Sequence, residues 1–252
     1  MSEREAAGLS LRSRALLLVQ REVGRLLGPI WIPLVVTGMR LYAGWRIEGM
    51  AAARAEFRRV RRESEGGLLI CANHLTMLDS FLIAWALAPA WWYVTHYSSL
   101  AWNTPEATNF ANTWYSRALI YLMKCVPVLR GGDRGEIGKV LAKVGWLLSQ
   151  GETALVFPEG GRSRLGRVDV DASTYGVGRL VKQEGCRVLC VYLRGERQES
   201  FSTAPARGEH IRVEAVAFEP KTEKRGLRGS LEISQQILCK LAEMERRYFD
   251  AR

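Results

Sequence analysis

No C-x-x-C pair, no G-x-S-x-G segment, no internal repeat and no uncharged run of bilayer length occurs in these 252 residues. Each absence removes a class of function. The five cysteines, Cys71, Cys125, Cys186, Cys190 and Cys239, are scattered and odd in number, which argues against a disulfide framework or zinc site and fits a reducing, cytoplasmic setting. A metal set from Cys186, Cys190 and His210 has poor spacing, and core thiols are the commoner case. The segment nearest a hydrolase elbow, Gly161-Arg162-Ser163-Arg164-Leu165, lacks the final glycine and makes a serine hydrolase a remote reading. The N-terminus, MSEREAAG, places two glutamates before any apolar run, so no export signal is expected. Without a Gly/Ser- or Pro-rich linker, the chain reads as one catalytic domain over residues 66–252 with a helical appendage over 1–65.

What is present is an ordinary globular composition, 48% hydrophobic and 25% charged, with a formal charge of +10. That balance suits anionic lipid, an acidic carrier protein or nucleic acid. The best basic patch for nucleic acid, FRRVRR at 57–62, comes with no helix-turn-helix, RNA-binding sheet motif or zinc finger, so no nucleic-acid partner is expected. A noncatalytic basic protein binding membrane or nucleic acid stays as the remote alternative.

Between Arg25 and Arg40 runs LLGPIWIPLVVTGM, uncharged and broken by Pro29 and Pro33. About 20 apolar residues are needed to span a bilayer, and this run is shorter. Flanked by Arg12, Arg14, Arg21 and Arg25 before it and Arg40, Tyr42, Trp45 and Arg46 after it, it reads either as a helix in the membrane interface or as a buried core helix. A charged helix, AAARAEFRRVRRESEGG, follows and stops at Gly66 and Gly67.

From there short apolar runs alternate with helical patterns. Strands are expected at 68–72, 92–95, 126–129, 154–157, 188–193 and 211–218. Ile137, Val140, Leu141, Val144, Leu147 and Leu148 repeat at helical spacing, closed by Gly151, and Ile233, Ile237, Leu241 and Met244 mark a C-terminal helix. This alternation predicts a largely parallel or mixed sheet covered by helices, with sites where strands end.

Two polar blocks fall at such ends. After LLICA comes Asn73-His74-Leu75-Thr76-Met77-Leu78-Asp79. On a continuous helix His74 and Asp79 would sit about 140° apart, so they meet only if His74 is in the loop and Asp79 in the first helical turn, with Thr76 as candidate N-cap. Thr76-x-x-Asp79 is equally a capping-box pattern. In the chemical reading, the imidazole takes a proton from an alcohol while the carboxylate fixes its tautomer and stabilises the imidazolium. The second block, ALVFPEGGRSR, ends a strand in Glu159-Gly160-Gly161-Arg162. Its glycines let backbone N–H groups face an anion and Arg162 offers a planar fork for phosphate oxygens, although the same residues also make a plain charged turn.

His74 separated from Asp79 by four residues, followed some eighty residues later by FPEG and R-S-R, resembles the glycerolipid acyltransferase family that includes 1-acylglycerol-3-phosphate acyltransferases. The resemblance covers roughly residues 66–195. It implies an α/β fold with an N-terminal membrane-interacting segment, at the cytoplasmic face of a membrane, peripheral or monotopic. It also implies a fatty acyl group moving from acyl-CoA or acyl-carrier protein to the hydroxyl of a lipid acceptor, with no cofactor and no metal. By the same resemblance His74 is the general base and Asp79 its orienting partner. Glu159, Gly160, Gly161 and Arg162 hold the acceptor's phosphate, and Arg130 in KCVPVLRGG makes a second phosphate contact. The chain departs from the pattern at Gly161, where the family has threonine, at Cys190, where it has proline, and in the stretch AWNTPEATNFANTWYSR. These changes leave open an acceptor other than a glycerophospholipid.

Overall fold

A computed structural model of the protein describes residues 9–106, 113–128, 134–163 and 165–251. Its centre is a six-stranded sheet: β1 (Arg46–Glu48), β2 (Leu68–Ala72), β3 (Trp102–Asn103), β4 (Thr153–Val156), β5 (Arg187–Gly195) and β6 (His210–Phe218), in the order β1-β6-β5-β2-β4-β3. Only the β5–β6 pair is antiparallel; every other neighbouring pair is parallel. The sheet is therefore mixed and largely parallel, as the alternation of patterns implies.

All five side chains of β2 are buried, which follows from a strand covered on both faces. Leu68, Ile70 and Ala72 enter one core with α2 (Met50–Glu63), α3 (Asp79–Leu87) and α4 (Ala90–Thr95). Leu69 and Cys71 enter the other, with α6 (Arg134–Ser149), α7 (Tyr175–Glu184) and α8 (Gly226–Asp250). The apolar stripes at 137–148 and 233–244 are the sheet-facing sides of α6 and α8. Residues ahead of 66 share this architecture: β1 pairs with β6 and α2 packs on β6.

The N-terminal helix, α1 (Leu11–Thr37), runs through both Pro29 and Pro33 rather than ending at them, and continues into a wider turn at Gly38–Tyr42. Its inner face carries Leu17, Gln20, Gly24, Gly28 and Ile32 against α4 and α5 (Trp114–Leu122). The approach is close: a Cβ on Gly24 would lie 2.3 Å from the Tyr97 hydroxyl and 2.9 Å from the Leu122 carbonyl. Leu26, Ile30 and Leu34 on the outer face are at least 65% exposed. The segment is thus a half-packed helix with an uncovered apolar side. Among the described residues no helix is long and apolar enough to cross a membrane.

Two expected strands do not form among the described residues. Residues 92–95 belong to helix α4, because Trp92 and Tyr93 are held by tertiary packing: Trp92 meets Phe57 edge to face and the Tyr93 hydroxyl donates to the Ala84 carbonyl at 2.8 Å. Packing overrides the β preference of an aromatic run. Across 126–128, the described part of the other, only single bridges form among the described residues, Asn103 with Cys125 and Glu106 with Val128; Pro127 has no N–H for a ladder.

Candidate active site

β2 ends at Ala72, and Asn73 extends its pairing with a side chain. The Asn73 amide donates to the Leu193 carbonyl at 3.0 Å and its oxygen accepts from the Leu193 N–H at 2.8 Å. Next comes the His74 loop, held against the 202–203 segment by Ser202 N–H to the Leu75 carbonyl and Met77 N–H to the Thr203 carbonyl. Asp79 is the first residue of α3, and Leu78 rather than Thr76 is its N-cap.

In this loop-then-helix arrangement His74 Nδ1 lies 3.0 Å from Asp79 Oδ2. The same oxygen accepts the Leu75 and Thr76 backbone N–H groups at 2.7 and 2.8 Å, while the Thr76 hydroxyl donates to Oδ1 at 2.6 Å. Asp79 therefore organises the turn through these bonds and also faces the imidazole. With Asp79 98% buried and so fully engaged, it fixes the ring's orientation, and Nε2 is the nitrogen left available to a substrate. The ring stacks on Phe157, centroids 3.9 Å apart.

His74 opens onto a cleft of about 160 Å³ walled by Met77, Leu78 and Phe81 on one side and Leu119, Ile120 and Met123 on the other, with Arg162 at its rim. The turn after β4 is tied to the His74 loop by a bond from the Ser163 N–H to the His74 carbonyl at 3.0 Å. Gly160 holds φ +68° there, a left-handed conformation natural to glycine. Arg162 donates one N–H to the Ser202 carbonyl at 3.3 Å and its guanidinium lies over Phe201, which leaves other donors of the fork for a ligand.

Glu159 accepts the Asp169 N–H at 3.3 Å through Oε2, while Oε1 is buried without a hydrogen-bond partner among the described residues. Burial pushes its carboxyl up to about 7, against the opposing pull of the Asp169 and His74 backbone N–H groups. The folded state thus holds a proton that the unfolded chain releases at lower pH. The stabilisation is complete below about pH 4.5 and is lost as pH rises through about 7. Glu159→Gln is expected to abolish that slope, leaving the variant up to about 3 kcal/mol more stable relative to wild type at pH 8 than at pH 4; denaturant melts at the two pH values check it.

The structure brings together His74, Asp79 and Arg162 at the cleft and sets Glu159 against the His74 backbone N–H, while Gly160 lines a separate space beyond Phe157; Arg130 lies outside the described residues. Several neighbours carried no assigned role in the sequence. Phe157 sits inside the FPEG block, yet nothing in its spacing announces a stacked ring. The α5 wall follows the unusual Asn- and Trp-rich stretch, and only the fold brings it to His74.

The family model described as Acyltransferase matches residues 52–194, more than half of the chain. No curated protein matches the sequence.

Proposed function

The chain belongs to the acyltransferase family, and from that premise we propose that it moves a fatty acyl group from acyl-CoA or acyl-carrier protein to the hydroxyl of a phosphate-bearing lipid such as 1-acylglycerol-3-phosphate, in phospholipid biosynthesis. The supporting observation is an imidazole oriented by a buried carboxylate at the mouth of an apolar cleft, with a guanidinium on the rim.

In this mechanism Nε2 of His74 takes the acceptor's hydroxyl proton as its oxygen attacks the thioester carbonyl. Asp79 stabilises the imidazolium. The tetrahedral adduct collapses with cleavage of the C–S bond, and the imidazolium returns its proton to the departing thiolate, giving an ester and a free thiol. His74 is then neutral again. A thioester is already an activated acyl group, so the step calls for no metal or redox cofactor.

Arg162 would pair with the acceptor's phosphate in a charge-assisted contact. Arg162→Ala is expected to raise the acceptor KM roughly tenfold to a hundredfold with kcat little changed, as measured by initial rates against acceptor concentration. An unchanged KM would remove the arginine from acceptor binding. Gly161, lacking the hydroxyl of a threonine, supports a second reading with a different lipid alcohol as acceptor; a panel of alcohols read by product mass separates the two.

We also propose a peripheral position on a membrane's cytoplasmic face. The exposed side of α1, together with Trp114 at 80% and Tyr115 at 62% exposure on α5, forms an apolar and aromatic surface next to the cleft wall, and a net charge of +10 favours anionic headgroups.

A further inference from the structure

A basic hollow of about 370 Å³ is lined by Arg58, Arg61 and Arg62 of α2 and by His96, Ser98 and Ser99 in the segment after α4. It lies where β2 and β4 begin: Arg61 donates to the Gly66 and Gly151 carbonyls at 3.3 and 2.6 Å, just ahead of those strands. His74 and Phe157 stand past the other ends of the same strands, roughly 15 Å away at the rise of an extended chain. Steps of three and four residues put the three arginines on one helix face, where like charges repel. Both carboxylates of α2 are turned elsewhere, since Glu56 and Glu63 pair with Arg59 at 2.8 and 2.9 Å. No carboxylate is among the described residues lining the hollow, and Arg58 and Arg62 have no ion pair among the described residues. A helix C-terminus favours cations, which accounts for Arg61 and Arg62 in the last turn but not for what meets them from another element. Ser99 is 4% exposed and its hydroxyl has no hydrogen-bond partner among the described residues. The Nε of Arg61 is likewise buried without one. Buried donors are normally satisfied, so unused donors beside unpaired cations point to an anion.

We propose that this hollow is a second anion site, separate from the His74 cleft, that takes the dianion of a phosphomonoester. Arg58 and Arg62 offer planar forks that match phosphate oxygens, and the Ser99 hydroxyl supplies a donor to another oxygen of the same group. A carboxylate has half the charge and fewer oxygens for these donors. The wall is rigid on one side, because the His96 ring stacks on Trp92 with centroids 4.4 Å apart. A phosphate held here is a strand's length from His74, so it is not the one that Arg162 would hold, and the inference does not depend on the acyl-transfer reading. The phosphomonoester has two sources, a dissolved metabolite or the headgroup of an anionic lipid. Tyr97, between His96 and Ser98, packs against α1 so closely that a Cβ on Gly24 would meet its hydroxyl at 2.3 Å. The helix with the uncovered apolar side is therefore a neighbour of the hollow.

The test measures binding of inorganic phosphate by calorimetry at low ionic strength, where exposed charges are least screened. In parallel, flotation measures binding to phosphatidylcholine vesicles with and without phosphatidate. Saturable binding of free phosphate by wild type identifies a dissolved source, and vesicle binding that requires phosphatidate, without it, identifies a headgroup. In either case the double variant Arg58→Gln with Arg62→Gln is expected to bind tenfold or more weakly, and Ser99→Ala roughly tenfold more weakly, with circular dichroism showing that each folds. Ser99→Ala leaves the net charge unchanged, so it separates a built site from a basic surface. Arg162→Ala is expected to leave this binding in place. Binding that falls in the arginine variant but not in Ser99→Ala is diffuse charge attraction and overturns the inference. So does binding lost only in Arg162→Ala, which would assign the phosphate to the cleft, or the absence of binding in both assays. A thioester KM raised in the Arg58/Arg62 variant also overturns it, because the hollow would then belong to the donor's site.

Discussion

Replacing His74 with alanine is expected to lower acyl transfer by a factor of roughly a hundred to ten thousand, the range over which a positioned general base acts. The loss should fall on kcat, with acceptor and donor KM little altered, because the imidazole acts on the proton in flight rather than on either chain. The fold should survive: the ring borders the cleft, and its loop is held by backbone bonds to 202–203 that do not involve the side chain. Asp79 offers a less clean experiment. Its carboxylate accepts the Leu75 and Thr76 N–H groups as well as facing His74, so Asp79→Asn opposes a side-chain amide to backbone donors and mixes lost stability with lost rate. Near-normal turnover in His74→Ala would remove the base from the mechanism.

The largest effect on stability is expected far from His74. Lys124 is fully buried, and its ammonium donates to the Tyr97 and Leu100 carbonyls at 3.1 and 2.7 Å and to Glu152 Oε2 at 2.5 Å. Trp102 Nε1 donates to the same carboxylate oxygen at 2.9 Å. Burial pushes the lysine down to about 8, with Glu152 pulling the other way. Every donor of the ammonium is used, so the pair is tolerable as a unit and costly when split. Lys124→Met should destabilise by about 3–5 kcal/mol, because Glu152 is left charged in the core, and lower Tm on the order of 10 °C. The double variant Lys124→Met with Glu152→Gln should recover much of that loss in the same thermal scan. A single variant melting within about 1 °C of wild type would contradict this assignment. The pair also matters to the cleft: Arg21 of α1 reaches Glu152 at 3.5 Å, and Gln20 donates to the Tyr121 and Cys125 carbonyls. Its loss would loosen the seating of α5, which walls the cleft.

Periodicity made the long elements legible. β2, β4, β5 and β6 stand out as apolar runs, and α6 and α8 as stripes, because each buries a face whose spacing repeats along the chain. The elements of two or three residues, β1 and β3, carry no period to read, and α4 looked like a strand because aromatic side chains serve either role when the tertiary contacts are unknown. At the site, His74 and Asp79 were legible through their spacing at the end of a strand, which admits their meeting only across a loop and a first helical turn. The rim arginine was legible from its place beside glycines. Phe157 and the α5 wall were not: their roles arise from contacts between segments separated in sequence, and no local pattern encodes those. The buried ion pair of Lys124 and Glu152 was equally hidden, since burial, not residue type, distinguishes it from a surface ion pair.

The central claim is that His74 passes an acyl group from a thioester to an alcohol. It is tested most directly by following, in one reaction of the purified protein with an acyl thioester and a single-chain phosphate acceptor, both the thiol released and the mass of the acylated product. The account predicts free thiol and new ester in equal amounts from wild type and neither from His74→Ala. Thiol released with free fatty acid and no ester, or equal ester formation by the two proteins, would contradict it.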